Sequence, residues 1–155
     1  MGIVVDRKNI IPLIKDLKKQ GLKIVTTNGC FDILHIGHLR YLKKAKSFGD
    51  ILVVALNSDS STKALKGDSR PINNQNDRAE LLANLNCVDI VVIFDEISPK
   101  KLLVEIAPDI HTKGADYTID TLPEAKAIIK AGGKIEFIEF VEGKSTTNTI
   151  NKING

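Results

Sequence analysis

The chain has 155 residues, 43% of them hydrophobic and 26% charged, and its 22 Lys and Arg against 19 Asp and Glu leave a formal net charge of +3. That balance fits one soluble globular domain and excludes fibrous, collagenous and disordered classes. So small a cationic excess, with aromatics at 5% and no Trp, argues against a broad nucleic-acid face or a base-stacking platform, and leaves room for one basic pocket for a phosphorylated ligand.

In chain order, Asp6 is expected to cap a helix over residues 7–20, with Ile10, Ile11, Leu13, Ile14 and Leu17 on one face and Gly21 closing it. The short β-branched run from Leu22 to Thr26 reads as a strand, followed by the polar turn Thr27-Asn-Gly-Cys30. A helix is expected from Gly37 to Phe48, then a strand at Ile51-Leu-Val-Val-Ala-Leu56, apolar on both faces as a central parallel strand requires. Asn57 to Asn76 is rich in Ser, Asp and Asn and shows no period, so it reads as a long functional loop, mobile in the free protein. Helices are expected near 77–86, 98–106, 121–131 and 146–153, and strands at 90–94, 110–113 and 134–140. The alternation predicts a doubly wound, Rossmann-like parallel α/β sheet in a single domain over 1–155, with 1–21 as an N-terminal helical extension of a 22–155 core. No apolar run approaches a membrane span, and the N-terminus lacks a basic leader followed by an apolar stretch. Cys30 and Cys87 make no disulfide framework. A cytoplasmic location is the resulting expectation.

Ligands of such sheets bind beyond the carboxyl ends of the strands, where strand order reverses. That points to Thr27–His38, Asn57–Asn76, Lys113–Tyr117 and Glu142–Thr147, all rich in Gly, Asp, Lys, Ser or Thr. His35-Ile-Gly-His38 falls at a predicted helix N-terminus, where free N–H groups and the helix dipole attract anions. The spacing places both imidazoles on one side of the turn, and Gly37 leaves room for a phosphate whose growing charge they could bind. The same spacing also suits surface or capping histidines. A metal set completed by Cys30 or Asp32 is a further reading, though zinc sites want three or four ligands and this set is cramped. A Cys30–His35 thiol nucleophile lacks an orienting third group. Gly143-Lys144-Ser145 is not a Walker A loop, because Ile138 stands where its first glycine belongs.

Thr27-Asn-Gly-Cys-Phe-Asp-Ile-Leu-His-Ile-Gly-His38 resembles the HxGH motif of the cytidylyltransferase-like nucleotidyltransferases. More narrowly it is similar to the adenylyltransferases of bacterial ADP-heptose synthesis, which act on D-glycero-β-D-manno-heptose 1-phosphate. Asn57-Ser-Asp59, Leu65-Lys-Gly-Asp-Ser-Arg-Pro71, Arg78, Cys87-Val-Asp89, Lys113-Gly-Ala-Asp-Tyr117 and Gly143-Lys-Ser-Thr-Thr147 follow in order and extend the likeness over nearly the whole chain.

The resemblance implies transfer of a nucleotidyl group from a triphosphate to a phosphorylated acceptor in one in-line displacement, with Mg²⁺ neutralising the pyrophosphate released. It implies that His35 and His38 contact the triphosphate, that Cys30 and Phe31 line its bed, and that Lys66 reaches substrate and α-phosphate. Lys113, Gly114 and Asp116 fall at the turn near the base, and Ser145, Thr146 and Thr147 at a helix N-terminus facing the β- and γ-phosphates. Asp32, Arg70 and Arg78 are expected to contact acceptor or triphosphate, with an ion pair on the helix surface as the other reading of Arg78. No residue is assigned as a metal ligand. ATP and a sugar phosphate are the expected small-molecule partners, a homodimer the expected assembly, and neither nucleic acid nor membrane is expected. Glycerol-3-phosphate cytidylyltransferases are the nearest competitor, but Phe140-Val141 and Asn86 stand where those enzymes tend to carry arginines. A non-catalytic nucleotide-binding module is the alternative of a different class.

Overall fold

A computed structural model of the chain describes residues 1–139 and 145–155. It is a six-stranded, all-parallel sheet in the order β1-β4-β3-β2-β5-β6. The strands are β1 (Ile3–Val5), β2 (Ile24–Gly29), β3 (Ile51–Asn57), β4 (Ile90–Phe94), β5 (Ile110–Gly114) and β6 (Lys134–Ile138). The helices are α1 (Ile10–Lys19), α2 (Ile36–Lys46), α3 (Asp59–Lys66), α4 (Gln75–Ala83), α5 (Lys100–Ile106), α6 (Ala125–Lys130) and α7 (Thr146–Ile153). Among the described residues, no helix is long and apolar enough to cross a membrane.

Alternation along β3 builds both cores. Leu52, Val54 and Leu56 face Leu42 and Ala45 of α2 and Ala79 and Leu82 of α4, while Val53 and Ala55 face Ile10 and Ile14 of α1 and Leu102 and Ile106 of α5. Each of the Val, Leu and Ile side chains, removed from water on folding, contributes about 1.5–3 kcal/mol, and each Ala less. This is the doubly wound α/β sheet expected from the sequence.

Three expectations are corrected. Ile3–Val5, assigned to a helical extension, forms edge strand β1 paired with Ile90–Val92. Asp6 therefore lies in the turn between strand and helix, its carbonyl accepting from Asn9 N, and α1 starts only at Ile10 with no side-chain cap. Asn57–Asn76 is not a patternless loop, because α3 occupies its first half. Ser58 caps α3 by accepting from Ser61 N, and Gly67 at φ +101° closes it. The buried side of α3 is made by Ser61 and Thr62, so no apolar period marks it.

Strand order reverses between β2 and β5. These two pair only at Val25↔Ile110 and Thr26↔His111, although β2 runs on to Gly29 and β5 to Gly114. The splay beyond the last pair opens a crevice at the carboxyl ends, as the topology requires.

Candidate active site

A cavity of about 340 Å³ fills that crevice. Its wall comes from the end of β2 and the following turn (Asn28 to Asp32), the start of α2 (His35, Gly37, His38, Tyr41), the end of α3 and its sequel (Lys66, Arg70), the end of β5 (Lys113, Gly114, Asp116, Tyr117), Glu139, and the start of α7 (Ser145, Thr146, Thr147). Every site residue expected from the sequence lines it except Arg78. Asn28, Gly29 and Tyr117 fall in the segments the sequence pointed to, whereas Tyr41 and Glu139 were missed; Tyr41 was within reach, because positions 35, 38 and 41 fall on one helical face.

The two histidines cap α2. Gly37 N donates to His35 Nδ1 at 3.0 Å and His35 N donates to His38 Nδ1 at 3.3 Å, so each ring meets the backbone through the same nitrogen. A ring that accepts at Nδ1 carries its proton on Nε2. The rings stack with centroids 3.9 Å apart, and the Phe31 ring lies 5.3 Å from that of His38. Burial, and then the neighbouring His35, push His38 down to a pKa of about 4, so it is a neutral donor near pH 7. Phe31 itself sits in the left-handed region at φ 44°. A Cβ on Gly29 would come within 3.0 Å of its ring, so glycine there permits the turn.

Asp32 and Arg78 both do structural work that the sequence did not announce, Asp32 at the cavity wall and Arg78 away from it. Asp32 lines the cavity, but its carboxylate accepts from Arg70 Nε at 2.7 Å and from Ile72 N and Asn73 N at 2.9 Å. Burial alone would raise its pKa; the backbone bonds from Asn73 and Ile72, with Arg70, outweigh that and hold it below the usual carboxylate range. Asp32 thus fixes the segment after α3 and sets Arg70, whose side chain is 11% exposed, at the cavity wall. Arg78 is fully buried in α4. Its Nε donates to Asn73 O at 2.9 Å, Nη1 to Cys30 O at 2.7 Å and Asn57 O at 2.8 Å, and Nη2 to Asp59 Oδ1 at 2.8 Å. It knots together the chain after β2, the end of β3, the start of α3 and the run into α4. A guanidinium so occupied is a structural clamp, not a phosphate contact.

Lys113 Nζ stands 3.5 Å from Asn28 Oδ1 and 5.3 Å from the centre of the Tyr117 ring. Burial pulls its ammonium below the ordinary lysine range, with Glu124 and Asp116 opposing. The Tyr41 hydroxyl bonds Thr27 Oγ1 at 2.9 Å and Thr112 Oγ1 at 3.4 Å, bracing α2 against both strands at the switch point. Ser145 caps α7 by accepting from Asn148 N at 2.9 Å, and Thr146 Oγ1 donates to Ile33 O at 3.1 Å, tying α7 to the turn before the histidines. Gly143, Lys144, Phe140, Val141 and Glu142 lie outside the described residues.

Two phosphate-type features therefore meet: stacked imidazoles at one helix start, and Lys66, Arg70 and Lys113 around them. The profile of cytidylyltransferase-like proteins matches residues 26–150, which takes in all of these groups. The chain belongs to the cytidylyltransferase-like family. It is 51% identical over 136 residues to "Bifunctional protein HldE" of Geobacter sulfurreducens, covering 88% of this chain and 28% of that protein. With the protein of the same name from Campylobacter fetus subsp. fetus it shares 55% over 137 residues, 88% of this chain and 29% of the relative. The chain thus spans less than a third of the length of these relatives. Among solved structures, the lipopolysaccharide core biosynthesis protein from Thermoplasma volcanium superposes with a TM-score of 0.65 at 34% identity, over 80% of this chain and 100% of that one. A pantoate-beta-alanine ligase from Francisella tularensis, at 19% identity and a TM-score of 0.64, shares the fold. In this member of the cytidylyltransferase-like family, the HxGH residues are His35 and His38, each accepting a backbone N–H through Nδ1 at the start of α2.

Proposed function

We propose that residues 1–155 act as a single nucleotidyltransferase domain that moves AMP from ATP to a sugar 1-phosphate, D-glycero-D-manno-heptose 1-phosphate, releasing pyrophosphate. The observation that carries this reading is the stacked His35–His38 pair, held through Nδ1 at the start of α2 inside a cavity that also presents Lys66, Arg70 and Lys113. The acceptor phosphate oxygen forms a new bond to the α-phosphorus while the bond from that phosphorus to the β-bridging oxygen breaks. The acceptor is already ionised, so the site needs no general base. It needs orientation and donors matched to the crowded α-phosphate. His35 and His38 supply the fixed donors. Lys66, at the end of α3, supplies a compact cation that can follow the changing phosphate. The α7 start, with Ser145, Thr146 and Thr147, receives the outer phosphates. Gly114 and Asp116 flank the base.

Among the described residues, no group of three or more His, Cys, Asp or Glu is placed to hold a metal ion. The site fits a divalent cation held by the triphosphate oxygens themselves; when bound there, Mg²⁺ supplies charge neutralisation to the leaving pyrophosphate. The reading places the activity in the cytoplasm, as a homodimer, in the making of a surface glycan precursor such as that of lipopolysaccharide.

ATP is expected over CTP, since Asn86 and Phe140 replace the arginines of the glycerol-3-phosphate enzymes. Calorimetric titration of the chain with each Mg²⁺-nucleotide checks the choice. ATP should bind at least about tenfold more tightly, a difference of about 1.4 kcal/mol. Tighter binding of CTP would replace the adenylyl assignment with the cytidylyl one.

A further inference from the structure

Lys66 and Arg70 reach the cavity from the β3 side of β2, and Lys113 from the β5 side, with the turn after β2 between them. Lys66 is exposed, whereas Arg70 is held from several directions. Its Nε donates to Asp32 Oδ2 at 2.7 Å, and its backbone N–H donates to Gly67 O at 3.1 Å. The same carboxylate takes the N–H groups of Ile72 and Asn73 at 2.9 Å, and Asn73 Nδ2 donates to Asp32 O at 2.8 Å. The Asp32 side chain is wholly enclosed, its oxygens filled by these donors. Both Nη groups of Arg70, in contrast, lack a hydrogen-bond partner among the described residues, and neither is a sealed buried atom. Phe31, the neighbour of Asp32 in that turn, lays its ring 5.3 Å from that of His38. One left-handed residue thus ties the histidine pair to the anchor of Arg70.

We propose that the two Nη groups of Arg70 bind the phosphate of the acceptor, a phosphomonoester dianion, and that Asp32 is the positioning residue that aims them. The acceptor must approach a triphosphate of the same sign, so a cation fixed in the same cavity offsets the repulsion where the two anions meet. With Nε occupied, the guanidinium still offers N–H groups in one plane, spaced for two oxygens of one phosphate. It is charged at every working pH, so what Asp32 supplies is direction and not protonation. A fork ordered before binding loses little freedom when the anion arrives, unlike the ammonium of exposed Lys66 on its flexible stem. Asp32 has no oxygen to spare for the substrate, and acts through Arg70. Assigning the anion to the acceptor rests on the nucleotidyl-transfer reading, which gives the nucleotide to the histidines, α7 and the end of β5. The anion site itself rests on the ion pair and the open Nη groups.

Calorimetric titration of the full chain with heptose 1-phosphate, glycerol 3-phosphate and ATP reads the site without turnover. Arg70→Met should weaken heptose 1-phosphate about 10–100-fold, the scale of a charged hydrogen-bonded contact, and ATP less than about threefold. Arg70→Lys should recover little of the loss. Asp32→Asn should weaken heptose 1-phosphate about tenfold, yet change nothing further once Arg70→Met is present, since coupled residues are not additive. In steady-state kinetics both variants should raise KM for the acceptor while KM for ATP holds. If Asp32→Asn does not fold, the Arg70 Nε–H resonance of the nitrogen-labelled wild-type chain carries the test, with Arg70→Lys giving the assignment. Paired with Asp32, that N–H should exchange slowly without ligand, and heptose 1-phosphate should shift it more than ATP does. Equal losses of acceptor and ATP in Arg70→Met, wild-type acceptor binding in Asp32→Asn, a full Asp32 effect on top of Arg70→Met, or a fast-exchanging Nε–H would each overturn the proposal. Glycerol 3-phosphate binding lost in Arg70→Met, with heptose 1-phosphate bound by neither protein, would instead fault the sugar of the reading above and leave the fork standing.

Discussion

His35→Ala and His38→Ala should each lower kcat by about 10²–10³, the usual cost of losing one preorganised donor to a transition-state charge, while loss of the cap lowers stability by only about 1 kcal/mol. Each ring is committed through Nδ1 to a backbone N–H, which leaves the Nε2 edge of His38 to serve a phosphate and fixes the orientation of the His35 ring stacked on it. Asparagine should rescue neither fully, because its shorter amide cannot both cap the helix and reach the cavity. The pH profile carries a second signature. With His38 held at about 4 by burial and by His35, its Nδ1 goes on accepting the His35 N–H through pH 5 and 6, where an ordinary histidine at 6.5 would already be charging. The acid limb of kcat from this group should therefore fall near pH 4. For stability the sign is opposite to that of a salt-bridged histidine. Between about 4 and 6.5 the unfolded chain binds the extra proton, so stability falls as pH is lowered through that window. Steady-state kinetics and chemical unfolding across pH 4–8 check both statements. Wild-type turnover in either folded alanine variant would remove the donor pair from the mechanism.

Arg78→Met should destabilise the domain by about 3 kcal/mol or more, although the methionine fills much of the same space. The loss comes from what is left behind. The carbonyls of Cys30, Asn57 and Asn73 would remain in the interior without their guanidinium donors, at about 1 kcal/mol or more each, and Asp59 would lose its partner. Arg78→Lys should recover little, because one ammonium cannot span four acceptors held in a planar fan. Urea unfolding of the three proteins gives the numbers. Since the same carbonyls anchor the turn after β2 and the start of α3, ATP affinity should fall along with stability. A methionine variant as stable as wild type would show that the clamp contributes nothing.

The contrast between those two sites shows what could be read from sequence. His35-Ile-Gly-His38 announces a helix start with two rings beside it, although the same spacing suited plain capping as well, a role both rings do fill. The apolar run of β3 likewise announces a central parallel strand, because only a strand covered on both faces needs it. Arg78 carries no such mark. A charged side chain on a helix reads as solvated or as a ligand contact, and only the packing of α4 against β3 and β4 reveals that it is enclosed by backbone carbonyls. The part Asp32 plays in pinning the segment 70–73 was hidden for the same reason, since its partners lie some forty positions away. α3 stayed hidden because Ser61 and Thr62, not aliphatic residues, form its buried side. β1 is three residues long and gains its strand character only from pairing with β4.

The fate of the α-phosphate tests the central claim most directly. ATP labelled at that position, and CTP labelled likewise, should each be incubated with the chain, Mg²⁺ and either heptose 1-phosphate or glycerol 3-phosphate. The account predicts label in a new sugar nucleotide, with one pyrophosphate released per product, for ATP with heptose 1-phosphate alone. Label carried into a CTP-derived product, or label that stays in the nucleotide with all four pairs while ATP binds, would contradict it.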